Sequence, residues 1–273
     1  MRDKSQLVLP IETEILIEKS DSVYQLHEIC KKLDYTKLYE TYVRSWRKVD
    51  PSTMFEIMVF SYMKGIYSGR QIEEACKNDI RFMWLLDGEP APSHATISRF
   101  QEERLSEVIE ELFYQLIEVL FELGEVKFEN IFVDGTKKEA NANPTDVQTL
   151  IPFMERIYKN TKRRFGRVIA DAGYESIENY LYLKEYGQKC FIKPQNYENS
   201  KKRSYRSNKY IAENLPYDKV LKQDKGFRRF LTRGKKNIET QFFILAFAFN
   251  IQKLYYRKNS GRFGIDLFTS DVS

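Results

Sequence analysis

In the first 125 residues, apolar positions recur with the spacing of helices. Asp50 and Pro51 form an N-cap and first-turn pair, and the apolar residues that follow lie on one face of a helix predicted to end near Gly65. Further helices are predicted over about 69–86, over a short stretch capped by Ser93, and from about 106 to a C-terminal glycine, Gly124. This part of the chain is therefore predicted to be an all-α domain.

The pattern changes in the second half of the chain. Three short apolar runs predict strands at 130–133, 167–170 and 189–192. Helices are predicted over about 146–158, 177–185 and 236–256. Because strands and helices alternate, the pattern favours an α/β fold with a small parallel sheet and right-handed crossover helices. We therefore expect an all-α domain over 1–125 and an α/β domain over 126–273.

Cysteine and histidine content excludes several kinds of site. Cys30, Cys76 and Cys190 are widely spaced and odd in number, so neither a disulfide framework nor a zinc site is predicted. His94 is expected to be a surface or capping residue, and His27 has no evident partner. The apolar runs are too short for a membrane span, and a cytoplasmic protein with no membrane partner is expected.

Positive charge is concentrated late in the chain. The net charge is only +5, but residues 188–236 contain fifteen Lys or Arg against four Asp or Glu, with aromatic residues between them. Cations interleaved with aromatic rings are typical of surfaces that bind nucleic acid. A solvated basic loop is the alternative, and charge alone does not separate the two.

Two predicted strands end in an aspartate. Asp134 follows the first strand and Asp171 follows the second. Ligand sites collect at the carboxyl ends of parallel strands, and two neighbouring carboxylates suit Mg²⁺ or Mn²⁺. Asp-Gly and Asp-Ala-Gly are also ordinary turn formers, so the pattern by itself leaves both interpretations open.

Six sequence segments stand out as motifs. YSGRQIE and PSHATISRF span residues 67–73 and 92–100, FVDGTK and VIADAGYES span 132–137 and 168–176, and KPQ and DKGFRRFLTRG span 193–195 and 224–234. In this order they resemble the motifs of one protein family, the bacterial insertion-sequence transposases of the acid-triad (DDE) type. The first two are similar to the helical domain that precedes the nuclease core, the next two to the first and second aspartate motifs, and the last two to later segments of the core.

The resemblance implies a ribonuclease H-like core in which Asp134, Asp171 and a glutamate hold two Mg²⁺ or Mn²⁺ ions. It implies binding to the terminal inverted repeats of a mobile element, followed by DNA cleavage and strand transfer in the bacterial nucleoid. The resemblance also implies that the chain can form a homo-oligomer, or a mixed oligomer with an intact transposase. The residues expected to contact DNA are Lys137, Lys222, Arg228, Arg229 and Arg233. For the three arginines, a solvated surface is the alternative.

The chain departs from the family pattern between the two aspartates. Only 36 residues separate Asp134 from Asp171, and a single predicted helix occupies the interval. The family places two further strands there, so residues 143–145 are interpreted as a deletion join. Loss of those strands would leave the family's first, fourth and fifth strands adjacent, with a newly exposed edge prone to pairing.

The third acid is a second departure. In the resembling family a glutamate lies seven positions before a lysine that corresponds to Lys222, but Leu215 occupies that position. Glu213 is the nearest acid, and Pro216 would break the helix needed to present it. A second join near Lys219 is therefore expected to have removed the glutamate. Greatly reduced catalysis is predicted; the alternatives are a non-catalytic DNA-binding remnant that competes with intact transposase, and a remnant that does not fold stably.

Overall fold

A computed structural model describes residues 17–42, 49–133, 148–192 and 234–264. The helices are α1 (Ser22–Cys30), α2 (Thr36–Glu40), α3 (Pro51–Met63), α4 (Gly69–Asn78), α5 (Ile80–Leu86), α6 (His94–Arg99), α7 (Ser106–Glu122), α8 (Leu150–Thr161), α9 (Ile177–Glu185) and α10 (Lys235–Asn259). The strands are β1 (Asn130–Val133), β2 (Arg167–Ala170) and β3 (Lys189–Ile192).

The chain divides into two compact units. The helical unit lies within residues 1–119 and 230–273, and the sheet unit lies within residues 120–229. The last helix, α10, thus groups with the N-terminal helices, against which it packs through α3 and α1. The predicted division into functional domains at residue 125 remains a prediction.

Helix α3 is the centre of the helical unit. It begins as predicted, because the Asp50 carboxylate accepts a hydrogen bond from the Ser52 N–H at 2.9 Å and Pro51 occupies the first turn. The prediction that only one face of α3 is buried is wrong, since eleven of its thirteen residues are buried. A helix that is apolar on all sides is enclosed by its neighbours, here α1, α2, α5 and α10.

Two predicted helix boundaries are corrected by the structure. The helix predicted over 69–86 is two helices, because Asp79 adopts an extended conformation and its carboxylate accepts from the Arg81 N–H at 2.9 Å to cap α5. Further along, α6 and α7 were predicted to be separate, but a π-helical segment, Phe100–Leu105, joins them directly. The end of α7 is confirmed: Gly124 has a φ of 73°, which favours glycine.

The sheet unit confirms the three predicted strands. They are parallel and lie in the order β1-β2-β3, so that Val133 pairs with Ala170 and Ala170 pairs with Ile192. Alternate residues of each strand face a core shared with α8 and α9. The residues of this core are Leu150, Met154, Val168, Ala170, Tyr174, Tyr182, Leu183 and Ile192.

The opposite face of the sheet carries exposed apolar side chains. Phe132, Ile169 and Phe191 form one row across the three strands, and 63% of Phe132 and 54% of Phe191 are exposed. Parallel sheets are normally covered on both faces. Within the described residues, this sheet is covered on one.

Among the described helices, none combines the length and the apolar character needed to cross a lipid bilayer.

Candidate active site at the strand ends

The parallel register aligns the carboxyl ends of β1 and β2. Val133 and Ala170 are the last residues of these strands and lie opposite one another. Asp134 and Asp171 are the next residues in the sequence. Asp134 itself lies outside the described residues, so the structure places its predecessor, Val133, beside the predecessor of Asp171.

Asp171 stands at the open end of β2 and is exposed to solvent. Its Oδ1 accepts a hydrogen bond from the Gly173 N–H at 3.0 Å, and its backbone carbonyl accepts from the Tyr174 N–H at 3.3 Å. The buried Tyr174 holds the turn in place, and the Asn179 amide donates to its carbonyl at 2.8 Å. The sequence left two interpretations of Asp171 open, and the turn-forming role is confirmed.

The turn does not occupy the whole carboxylate. One oxygen of Asp171 is used by Gly173, and the second has no protein partner in the described part of the chain. A carboxylate oxygen that faces solvent is a donor that Mg²⁺ or Mn²⁺ accepts, so Asp171 fits the role of one metal ligand. Among the described residues, no three metal-ligating side chains come together.

Arg164 lies in the loop between α8 and β2 and contacts residues of α8 and of the end of α9. Its guanidinium carbon lies 4.1 Å from the ring centre of Tyr158 and 3.6 Å from that of Tyr186. The same group donates to the Tyr182 hydroxyl at 2.8 Å and to Glu155 at 3.1 Å, and the Tyr182 hydroxyl donates to Glu155 at 2.6 Å. We call these five residues the Arg164 cluster. The sequence analysis did not identify it, because its members are brought together only by folding.

Electrostatics within the Arg164 cluster favours the ionised carboxylate. The hydrogen bond from Tyr182, followed by that from Arg164, lowers the pKa of Glu155. Burial, with a further contribution from the neighbouring Glu155, raises the pKa of Tyr182 to about 12. The cluster is thus an ion pair and a neutral phenol across the neutral pH range, which suits a role in holding the two helices that support the sheet.

The two histidines belong to the helical unit. His94 begins α6, and its backbone N–H and ring Nδ1 both contact a carboxylate oxygen of Glu73, at 2.7 and 2.8 Å. This confirms a surface position, while the N-cap of α6 is Ser93. The expectation that His27 lacks a partner is wrong. Its Nδ1 lies 2.8 Å from the buried carboxylate of Glu56, and burial raises the pKa of Glu56.

Several sequence predictions concern residues outside the described part of the chain. They include the expected DNA contacts Lys137, Lys222, Arg228, Arg229 and Arg233. Glu213, the interpreted joins at 143–145 and near Lys219, and the position expected for the third acid also lie there. These stay predictions.

Comparison with protein families identifies the chain. The model described as "Transposase domain (DUF772)" matches residues 11–103, and the model described as "Transposase DDE domain" matches residues 136–264. Asp171 lies within the second match, and Asp134 lies just before its first residue. Searches of curated proteins and of solved structures each found no match.

The mostly helical chain, with its small parallel sheet, thus carries the two transposase regions in succession. It belongs to the insertion-sequence transposases of the DDE type. Membership implies a ribonuclease H-like fold, dependence on a divalent metal and a function in the transposition of a mobile element.

Proposed function

We propose that this transposase binds the terminal inverted repeats of its element, and that Asp134 and Asp171 form an incomplete metal site. Strand cleavage and strand transfer by this chain are accordingly weak or lost. The observation that carries the proposal is the register of β1 and β2, in which Val133 lies opposite Ala170.

Neighbouring strands lie ~4.8 Å apart, so residues that directly follow two paired positions start from adjacent points on the sheet edge. Carboxylates that extend from such points lie within reach of one cation. When bound, a divalent cation supplies Lewis-acid polarisation of the scissile phosphate. The register therefore supports a shared role for Asp134 and Asp171.

The turn after β2 fixes one of these groups in position. The Gly173 N–H holds Oδ1 of Asp171, and none of the described residues hydrogen-bonds to the other oxygen. The buried Tyr174 and the hydrogen bond from Asn179 keep the turn against the core. Asp171 thus needs little rearrangement to bind a cation, which favours function at this position.

Impairment is proposed because the acid triad lacks its third carboxylate. Two aspartates can hold one Mg²⁺, whose remaining ligands are water and phosphate oxygens, but a two-metal site loses a protein ligand when the third acid is missing. The expected position of the third acid is Leu215, an apolar residue. In addition, the described part of the connection between β1 and β2 consists of α8, which agrees with the short spacing on which the proposed deletion rests.

The first test is nicking of supercoiled plasmid that carries the ends of the element, with Mg²⁺ or Mn²⁺. The isosteric variants Asp134→Asn and Asp171→Asn are compared with the unaltered chain. Asp87→Asn is the matched control, because Asp87 is exposed and its left-handed conformation (φ 46°) is one that asparagine tolerates. The proposal expects the four proteins to nick at the same background level. Nicking that both strand-end variants abolish would show that the site is complete.

A second candidate is a DNA-binding remnant that competes with intact transposase. It is favoured by the packing of the described part of the helical unit, in which α3 is enclosed and α10 packs against it. The test is binding to inverted-repeat DNA in the presence of EDTA, together with the transposition frequency of an intact element when this chain is co-expressed. Metal-independent binding with reduced transposition supports this candidate, whereas unchanged transposition contradicts it.

A further inference from the structure

The end of α10 combines positive charge with exposed aromatic rings. Residues 253–264 contain four cations and no acid. Two rings in this segment are exposed, Tyr256 by 60% and Phe263 by 41%. We call residues 253–264 the α10 tip.

The backbone folds the α10 tip back on itself. Gly261 has a φ of 69°, its N–H donates to the Lys258 carbonyl at 3.3 Å, and the Arg262 N–H donates to the Arg257 carbonyl at 2.9 Å. This pair of hydrogen bonds is a Schellman motif. The Arg257 guanidinium also donates to the Arg262 carbonyl at 3.1 Å. The motif therefore keeps Arg262 and Phe263 beside the last helical turn.

The α10 tip is also anchored in the helical unit. Ile251 and Leu254 are buried, and Tyr256 projects from the other side of the helix, two residues after Leu254. Lys258 follows Leu254 on the same face but is exposed, because it lies in the last turn. Because these anchors and the Schellman motif fix the backbone, the cations and rings are presented from a rigid surface. Such a surface loses little conformational entropy when it binds a partner.

Helix stability accounts for only part of this composition. Cations in the last turn interact favourably with the helix dipole, which explains Arg257 and Lys258. It does not explain Lys253, which lies further from the helix end, or Arg262, which lies beyond it. Nor does it explain why aromatic rings are exposed beside them.

The cations of the α10 tip are available to a partner. Lys253, Lys258 and Arg262 are exposed and take part in no ion pair within the described part of the chain. Elsewhere in the helical unit, Lys19 and Lys32 are likewise exposed without an ion pair among the described residues, whereas four exposed lysines each contact a glutamate. The four are Lys31, Lys37, Lys77 and Lys236.

We propose that the α10 tip is a DNA-binding surface. Lys253, Lys258 and Arg262 bind the phosphate backbone, and Tyr256 and Phe263 stack on bases that are unpaired near a strand end. The inference rests on the proposed function in one respect, that DNA is the partner. It is independent of the chemistry at Asp134 and Asp171, and none of its residues is among the DNA contacts expected from the sequence.

The test measures binding of fluorescein-labelled DNA by anisotropy in EDTA, over a range of salt concentrations. Lys258→Ala/Arg262→Ala removes two cations and leaves the backbone hydrogen bonds intact. Lys19→Ala/Lys32→Ala is the matched control, because both lysines are exposed, form no ion pair among the described residues and belong to the same unit. Each double variant changes the net charge equally. For a duplex, the logarithm of the binding constant decreases with the logarithm of the salt concentration. The proposal expects this negative slope to become shallower by about 1.8 in Lys258→Ala/Arg262→Ala and to stay unchanged in the control.

The aromatic contribution is tested with a single-stranded oligonucleotide. Tyr256→Ala is expected to weaken its binding about tenfold, with a smaller effect on duplex binding, because stacking needs unpaired bases. Tyr256→Phe keeps the ring and is expected to restore the affinity. Circular dichroism of every variant checks that the helices are retained.

The outcomes separate this inference from the proposed function. If the unaltered chain binds neither DNA, the proposed function and the inference both fail. If the unaltered chain binds DNA and both double variants bind with the same affinity and salt dependence, the proposed DNA binding is supported but the α10 tip is not the DNA-binding surface. Equal weakening by the two double variants would indicate a net-charge effect and would also overturn the inference.

Discussion

The helical unit and the sheet unit differ in how completely they enclose their central elements. In the helical unit α3 is buried on nearly all sides, and large rings fill its surroundings. In the sheet unit one face of the strands packs on α8 and α9, while Phe132 and Phe191 of the other face are exposed. We therefore expect most of the stability to come from the helical unit. The residues proposed for chemistry follow strands that are packed on one face only.

The largest expected loss of stability comes from removing a buried phenylalanine of the helical unit, which can be compared with an exposed phenylalanine of the sheet unit. Phe55 is fully buried and its ring lies 5.1 Å from that of Phe247, so Phe55→Ala should lower the free energy of unfolding by about 4 kcal/mol through lost burial and a cavity. The matched change Phe191→Ala removes the same ring from an exposed position and should stay within about 0.5 kcal/mol.

Urea unfolding can assign these effects to the units. In a Trp46→Phe background the one remaining tryptophan is Trp84, on α5 of the helical unit. Tryptophan fluorescence then follows the helical unit, while circular dichroism follows both units. Phe55→Ala should move the fluorescence transition to lower urea. Similar losses for Phe55→Ala and Phe191→Ala would contradict the contrast, because the sheet face would then be covered in solution.

An intermediate loss of stability is expected when the Arg164 cluster of the sheet unit is disrupted. Arg164→Ala removes three ring contacts and two hydrogen bonds of the Arg164 cluster, one of these hydrogen bonds being to a carboxylate. We expect a loss of about 2 kcal/mol, seen by circular dichroism and not by tryptophan fluorescence. Arg167→Ala, at an exposed position on β2, is the control and should change the stability little. If the two variants lose the same amount, the cluster does not hold the helices together.

Much of the fold could be predicted because it depends on local pattern. The three strands follow from short apolar runs, and their parallel order follows from the alternation with helices. Asp50 and Gly124 mark helix ends through their own backbone preferences. The break at Asp79 was missed, because aspartate is tolerated within a helix and only the competition for a capping bond decides its conformation.

The position of the candidate site at the ends of two strands could be predicted, but the side-chain contacts around it could not. Aspartates after two strands indicated the sheet edge, and the register confirmed that these strand ends are neighbours. Contacts between distant residues gave no signal in the sequence. His27 and Glu56 are 29 positions apart, and the Arg164 cluster draws on two helices and the loop between α8 and β2. Periodicity reports which side of an element is apolar but not which polar partners meet.

The smallest expected effect concerns the buried carboxylate of Glu56. Burial is the largest influence on it and raises its pKa above the usual 4.5, although the contact with His27 opposes this. A carboxyl whose folded pKa is raised stabilises the fold fully below its unfolded pKa, and this contribution is lost as the pH rises through the folded value. Glu56→Gln keeps a polar group beside His27 but cannot ionise. Urea unfolding followed by tryptophan fluorescence should therefore show the unaltered chain losing stability relative to Glu56→Gln as the pH rises above 4.5. The exposed Glu28→Gln should show no such trend, and a trend of opposite sign for Glu56→Gln would mean that the contact with His27 outweighs burial.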